Sequence, residues 1–220
     1  MSKRPDTDEA ARLVTSVAPR RSVEDVLRAS GLELLGPCER LSQQPGLLQD
    51  SALLQDFTAT EADILGRAML RVRARPGQVL IAENDASDWM LLLLSGTVDV
   101  GKHRLDPDTL RPLPEENARV AVLRPGAVLG EMSMLDGEPR YASCWALSDV
   151  EAAILTRAAL AGLIREQPAV GAKLLVKITQ LLAQRLRNTS NQLLRRLPRR
   201  AGSEGPSAGN SFGPSGRAGS

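Results

Sequence analysis

The sequence predicts a mainly β domain with flanking helices, a β-barrel or sandwich followed by a long C-terminal helix. Three observations support this fold class. Between residues 77 and 155, short apolar runs are separated by turn signals at intervals of about 8–12 residues, which is typical of barrels and sandwiches. A helix signal precedes these runs. An apolar stripe with helical spacing follows them over about 30 residues.

Residues 1–50 are interpreted as a loosely structured N-terminal extension. Ser22, followed by acidic residues at 24 and 25, predicts a helix start, because serine caps free N–H groups and acids suit the positive end of a helix. This helix is expected to end near Gly31. Beyond it, two pairs of Gly and Pro, at 36–37 and 45–46, predict turns.

Residues 51–167 form the predicted β domain with its flanking helices. The capping box at 58–61 and the apolar spacing after it predict a helix over 59–70. Residues 101–117 contain three prolines and alternating charges, so we expect a long surface loop there. The predicted strands cover 79–81, 90–94, 97–100, 120–123, 143–147 and 150–155.

Two helices follow, one over 157–165 and a long C-terminal helix over 168–197 that begins with a proline. The far end of the long helix has no obvious core to cover, so we expect a homodimer or a partner helix there. Residues 198–220 are rich in Gly, Ser and Pro and predict a disordered tail. The apolar stripe of the long helix comprises Leu174, Leu175, Ile178, Leu181, Leu182, Leu186, Leu193 and Leu194.

Charge and composition exclude several classes of function. The net charge is only +2, so a basic coat over the whole protein for nucleic acid is excluded. Residues 185–200 carry six arginines and no acid, so a local basic end is not excluded, although we expect no nucleic-acid partner. No apolar run approaches the roughly 18 residues that cross a bilayer. One histidine and two distant cysteines leave no metal or catalytic cluster. We therefore expect a cytoplasmic protein that is not an enzyme and does not contact a membrane.

The segment 130–143, GEMSMLDGEPRYAS, carries most of the chemical information. Gly130 permits a positive φ, and Glu131 opens a short predicted helix over 131–135, whose first N–H groups favour an anion such as phosphate. A bent chain can return Arg140 to that helix end, where a guanidinium matches two phosphate oxygens. The Glu131 carboxylate suits sugar hydroxyls. Together these groups describe a site for a ribose phosphate.

This segment resembles the phosphate-binding cassette of cyclic-nucleotide-binding domains. Those domains show Gly-Glu, an apolar helical turn, Pro-Arg, a small pair and then Thr or Ser. This chain has Gly130-Glu131, the turn Met132-Ser133-Met134-Leu135, Pro139-Arg140 and then Tyr141-Ala142-Ser143. The resemblance extends over about 50–197.

The resemblance implies an eight-stranded jelly-roll β-barrel with flanking helices. It implies a 3′,5′-cyclic nucleotide as the ligand, cAMP with cGMP as the alternative, and no other cofactor. Arg140 would pair with the cyclic phosphate, and Glu131 would accept a hydrogen bond from the ribose 2′-hydroxyl. Backbone N–H groups of Tyr141, Ala142 and the turn at Glu131 would complete the phosphate cradle.

A second stretch, Arg-Leu-Arg-Asn-Thr-Ser at 185–190, is similar to the corresponding helix of catabolite activator proteins. In that family a Thr-Ser pair meets the adenine edge across a dimer seam, and Thr189 and Ser190 match this pair. The similarity implies adenine rather than guanine and a homodimer joined along 170–197. The candidate ligand-binding residues are Gly130, Glu131, Met132, Ser133, Arg140, Tyr141, Ala142, Thr189 and Ser190.

Two positions depart from the family pattern. Asn84 stands where a glycine is usual, and asparagine tolerates the left-handed conformation. Tyr141 stands where small residues are common. No winged helix-turn-helix follows Pro198 in this sequence, so we expect a sensor that acts through an unknown protein effector or through dimer rearrangement. Ligand would tighten the cassette, move the hinge at about 156–168 and reposition the long helix.

Two alternative functions remain open. The first is a ligand-free structural or protein-interaction module on the same fold. The second is a DNA-associated regulator of the catabolite-activator type without its helix-turn-helix, which would use the arginines of 185–200.

Overall fold

Two antiparallel β-sheets form the centre of the computed structural model, which describes residues 23–102 and 118–196. The first sheet has the order β1 (Glu33–Pro37), β2 (Leu70–Ala74), β9 (Val150–Thr156), β4 (Trp89–Ser95) and β7 (Val128–Leu129). The second has the order β3 (Val79–Ile81), β8 (Ser143–Ala146), β5 (Val98–Lys102) and β6 (Ala118–Leu123). Neither sheet closes on itself within these residues, so the jelly-roll barrel stays a prediction.

Helices flank the sheets and are interspersed between the strands. A 3₁₀ turn covers Leu41–Gln43. The α-helices are α1 (Val23–Ala29), α2 (Leu47–Asp50), α3 (Ala59–Arg67), α4 (Glu131–Asp136), α5 (Arg157–Glu166) and α6 (Pro168–Arg196). The chain divides into two compact units between Leu182 and Ala183. Within the described part of the chain, no helix is long and apolar enough to cross a membrane.

Strand β4 separates the two hydrophobic clusters of the core. Its side chains alternate between the two faces of the sheet. Met90, Leu92 and Leu94 join a cluster that contains residues of α3, α5 and α6. Leu91 and Leu93 join a second cluster, which contains residues of both sheets and of α1. Because β4 is buried on both faces, its sequence is an uninterrupted apolar run rather than an alternating one.

Most predicted elements are confirmed. The six predicted strands are present with ends within one or two residues, and the helices predicted over 157–165 and 131–135 are α5 and α4. The capping box is present: Thr58 Oγ1 accepts from the Glu61 N–H at 3.2 Å, and the Thr58 N–H donates to Glu61 at 2.8 Å. Helix α3 ends at Arg67, three residues before the predicted end, because Leu70 already begins β2.

The N-terminal region differs from the loosely structured extension that the sequence suggested over residues 1–50. Residues 23–50 contain α1, β1, the 3₁₀ turn and α2, and Leu27, Leu32, Leu41 and Leu47 are buried. Strand β1 pairs with β2 and ends in Pro37, which an edge strand tolerates because one side of its backbone needs no partner. The Gly-Pro pair that indicated a turn therefore closes an edge strand.

Three other predictions lie wholly or partly outside the described residues. They are residues 1–22 of the N-terminal extension, residues 103–117 of the predicted loop and the predicted tail over 198–220. Residues 101 and 102, which the loop prediction included, belong to β5.

Ion pairs connect the first half of α6 to α3 and the residues before it. Lys173 Nζ lies 2.6 Å from Glu61 Oε1, and Lys177, which is buried, pairs with Asp56. The hydrogen bond from Lys173, together with that from the Thr58 N–H, lowers the pKa of Glu61 from 4.5 to about 2. The folded state therefore favours ionised Glu61, and this contribution to stability is present above pH 4.5 and disappears as the pH falls towards 2.

We predict that Lys173→Gln reduces the loss of stability on acidification that the Lys173–Glu61 pair causes. Without the lysine the pKa of Glu61 returns towards its ordinary value, so less stability remains to be lost on acidification. Thermal unfolding between about pH 5 and pH 2.5 should show a smaller fall in Tm for the variant than for the wild type. Lys102→Gln, which removes a lysine from β5, is the control, and equal slopes for the two variants would contradict the prediction.

Candidate functional site

The cassette begins where β7 ends, and two glycines set its shape. Gly130 has φ 76° and stands as the N-cap of α4, while Gly137 has φ 81° and ends the helix. Both values lie in the left-handed region that glycine adopts without strain. No side chain caps the start of α4, and the first N–H groups of a helix have no acceptor within the helix. These groups are the donors that an anion would meet.

Arg140 lies inside the fold and is 2% exposed. Its Nε–H donates to Ser87 Oγ at 2.9 Å, Nη1 donates to the carbonyl of Gly130 at 2.7 Å, and Nη2 donates to the carbonyl of Trp89. The guanidinium also stacks over the Trp89 ring, 4.5 Å from its centre. These four contacts determine the orientation of the guanidinium.

Among the residues that the structure describes, no carboxylate is in direct contact with the positive charge of Arg140. Arg140 takes part in none of the ion pairs between described residues, and its three acceptors are neutral. Burial therefore dominates and lowers its pKa, although Asp85, Glu131 and Asp88 act in the opposite direction at longer range. A buried cation of this kind is stabilised further when an anion comes into contact with it.

Gly130 is required by the arginine as well as by the turn. A Cβ built on Gly130 would collide with Nη1 of Arg140 and would lie 3.1 Å from its Cζ and from the carbonyl oxygen of Trp89. The glycine thus provides a left-handed turn, a carbonyl acceptor and the space that the guanidinium occupies.

The backbone of Arg140 is held by the turn after β3. The Arg140 N–H donates to the carbonyl of Asp85, and the Asn84 N–H donates to the carbonyl of Arg140, both at 2.9 Å. Asn84 has φ 65°, so the prediction that it adopts the left-handed conformation of the usual glycine is confirmed. This pairing returns the chain to the N-terminal end of α4.

The structure brings Gly130, Glu131 and Arg140 together, as the sequence predicted. Glu131 and Ser133 are buried, at 2% and 5% exposure, and Glu131 interacts electrostatically with Arg140. Met132 is 50% exposed on the outer side of α4.

The residues after Arg140 are more accessible. Tyr141 is 67% exposed, and its ring lies 4.1 Å from Lys102 Nζ, which also pairs with Glu83 at 3.1 Å. Ala142 is half-buried. The Tyr141 side chain therefore points to the surface, and its bulk does not displace Arg140 from the position described.

Thr189 and Ser190 lie on α6 in the unit that begins at Ala183, and both are exposed. Their contact with a base stays a prediction.

Three residues around the cassette helix were not singled out from the sequence. Ser87 and Trp89 hold the guanidinium of Arg140, and Arg157 donates to the carbonyls of Ser133 and Met134 at the other end of α4. A serine, a tryptophan inside an apolar strand and one of 24 arginines carry no local signal for these roles. In the described ranges, no cluster of three or more His, Cys, Asp or Glu could hold a metal ion.

Comparison with known proteins agrees with this geometry. Residues 71–167 match the family model described as cyclic nucleotide-binding domain. The crystal structure of a cyclic nucleotide-binding domain from Methylobacillus flagellatus is 32% identical in sequence and has a TM-score of 0.63, covering 76% of this chain and 89% of that one. The chain belongs to the cyclic nucleotide-binding domain family.

Regulatory proteins are among its relatives. The CRP-like cAMP-activated global transcriptional regulator of Mycobacterium tuberculosis is 31% identical over 147 residues, 67% of this chain. This chain spans 60% of the length of that regulator. The crystal structure of the Thermus thermophilus catabolite activator protein is 28% identical, with a TM-score of 0.56, and the match covers 66% of this chain and 62% of that one.

We predict that Gly130→Ala lowers the free energy of unfolding by about 1–3 kcal/mol, because the new Cβ meets Arg140 in a left-handed backbone. The matched control is Gly162→Ala in α5, where a Cβ meets no atom within 4 Å. The control should be neutral or stabilising by up to about 1 kcal/mol, since alanine favours a helix. Urea unfolding measures both variants, and equal free energies would contradict this role of Gly130.

Proposed function

We propose that this chain binds a 3′,5′-cyclic nucleotide, with cAMP as the ligand, and acts as a regulatory protein through an effector or a dimer rearrangement. The observation that supports this most is the buried guanidinium of Arg140, which contacts no carboxylate of the described residues and lies beside the start of α4, where Gly130 offers no side-chain cap. This arrangement provides a cation and backbone N–H donors for a single anion.

The donors of Arg140 leave room for a phosphate. A guanidinium has five N–H groups, and the described residues accept from three of its nitrogens, one contact each. Two N–H groups, one on each terminal nitrogen, therefore have no acceptor among the described residues and are proposed to donate to phosphate oxygens. Because the site is shielded from water, each charge-assisted hydrogen bond formed there is stronger than it would be at the surface.

Glu131 is proposed as the acceptor for the ribose 2′-hydroxyl. It follows Gly130 directly and is 2% exposed, so a sugar hydroxyl can reach it only inside the cassette. The mycobacterial relative is named as cAMP-activated, which supports cAMP as the ligand of this chain too. Binding would tighten the cassette, shift the hinge around 156–168 and reposition α6.

One observation favours the second candidate function, a ligand-free interaction module. Arg140 already has a hydrogen-bond partner at each of its three side-chain nitrogens, and its guanidinium stacks on Trp89. In that case the arginine holds β4, α4 and the turn after β3 together, and no nucleotide binds. Direct binding measurements separate the two functions.

We predict that isothermal titration calorimetry detects cAMP binding to the wild type and that Arg140→Gln weakens it by about 10- to 100-fold, the effect of losing hydrogen bonds to a charged group. Glu131→Gln should weaken cAMP as well. Arg71→Gln, which replaces an arginine bonded to Glu151, should bind as the wild type does. The Tm of each variant without ligand verifies folding. A folded wild type that binds neither cAMP nor cGMP would contradict the proposal and support the ligand-free module.

We propose further that α6 joins two copies of the chain. In its second half Leu186 and Leu193 are 69% and 61% exposed, and they stand one heptad apart. Thr189 lies between them on the same face of the helix. A second copy would cover these leucines and bring the two Thr-Ser pairs to the seam.

We predict that the chain is a dimer, so that size-exclusion chromatography with light scattering gives twice its mass of 23.6 kDa. The double variant Leu186→Glu with Leu193→Glu should be a monomer. Glutamates facing each other across the seam would repel and would lose the apolar contact. The control is Asn191→Glu, on the opposite face of the helix. A monomeric wild type at micromolar concentration would contradict the proposal.

A further inference from the structure

The hydrogen bonds of Arg157 connect the cassette helix to the hinge. Arg157 is the first residue of α5, immediately after Thr156, which caps that helix through a bond from the Ala159 N–H at 3.0 Å. Its Nε–H donates to the carbonyl of Met134 at 2.7 Å, and its Nη2 donates to the carbonyl of Ser133 at 2.9 Å. We call these two bonds the Arg157 clamp.

The clamp provides hydrogen-bond donors for carbonyl groups at the C-terminal end of α4, which the ligand would not touch. The last carbonyls of a helix have no donor within the helix, and a cation near them is favourable. The helix has only six residues, so its two ends are about 9 Å apart. Ser133 belongs to both ends, since its N–H is among the first donors of α4 and its carbonyl is bound by Arg157. A displacement of the N-terminal end of α4 therefore moves the carbonyls that Arg157 binds, because they lie within one helical turn.

A second route joins the two arginines through one segment of β4 and the residues before it. Arg140 donates to Ser87 and to the carbonyl of Trp89. The residue between them, Asp88, accepts the backbone N–H of Arg157 at 2.9 Å. A phosphate that draws Arg140 towards itself would change the contacts of residues 87–89. Because the backbone N–H of Arg157 is bonded to Asp88, this change would also reach the start of α5.

We propose that Arg157 is a positioning residue that transmits nucleotide binding in the cassette to helices α5 and α6. This inference rests on the proposed function. Arg157 does not touch the ligand in this account. It acts through two bonds in a fixed planar geometry, so that α4 and the start of α5 move together. Apolar packing also joins these elements, because Met134 lies in one cluster with Leu160 and Leu163. The polar link can be removed without disturbing that packing.

Arg157 is exposed, so its replacement should leave the fold intact. The test compares the wild type with Arg157→Gln and Arg157→Lys. Arg71→Gln is the matched control, since Arg71 also donates through Nε and Nη2, but to Glu151. Calorimetry gives the Kd for cAMP, and hydrogen–deuterium exchange with and without saturating cAMP gives the response of residues 130–142 and 157–182.

All four proteins should bind cAMP within about threefold of one another, a difference smaller than one charged hydrogen bond. Arg157→Gln should keep the exchange change in 130–142 and lose at least half of the change in 157–182. Arg157→Lys, which retains a cation and can reach one carbonyl, should lose less. Arg71→Gln should respond as the wild type does.

Each contrary result has its own meaning. A full wild-type response of 157–182 in Arg157→Gln would overturn the role of Arg157 while leaving nucleotide binding in place. Loss of cAMP binding in Arg157→Gln and Arg157→Lys, with Arg71→Gln still binding, would also overturn it, because Arg157 would then belong to the ligand site. Absence of cAMP binding by the wild type would refute the proposed function itself, and the inference with it.

Discussion

The structure of the site depends on the close contact between the buried guanidinium of Arg140 and the backbone of Gly130. Arg140 occupies the space that a side chain at Gly130 would need, and it donates to the carbonyl of that same residue. The charge is desolvated, which lowers its pKa, and its hydrogen-bond acceptors among the described residues are neutral. Such a charge is costly unless many hydrogen bonds or an anion compensate. Two of the elements around the charge provide hydrogen-bond acceptors for it. These are the left-handed turn at Gly130, which begins the short helix α4, and the turn after β3.

The elements around Arg140 are arranged according to this constraint. Asn84 adopts a left-handed conformation so that the turn after β3 can hold the backbone of Arg140. Residues 87–89 lie between the two arginines and provide acceptors to both. Helix α4 is bounded by two left-handed glycines, and its carbonyls are held by the first residue of α5. Hydrogen bonds thereby connect α4 to the first of the helices that come after the sheets.

Much of this could be predicted from the sequence, because the signals were local. The capping box before α3, the apolar strands and the Gly-Glu and Pro-Arg pairs are each readable within a few residues. The features that could not be predicted depend on distant partners. Strand β2 alternates arginines that pair with Glu151 across the sheet, and β1 is stabilised by pairing with β2 rather than by its own composition. Arg157 becomes significant only once folding places α4 beside it, 23 residues or more from its acceptors.

In the proposed function, Arg140 anchors the cyclic phosphate. The most direct measurement is the NMR signal of the arginine Nε–H groups in ¹⁵N-labelled protein, with the Arg140 signal assigned by its absence in Arg140→Lys. We expect cAMP to shift this signal, because phosphate oxygens would bind the guanidinium that donates to Ser87, Gly130 and Trp89. Adenosine, which has the base and ribose but no phosphate, should leave it in place. An Arg140 signal that stays unchanged while cAMP binds would contradict the claim.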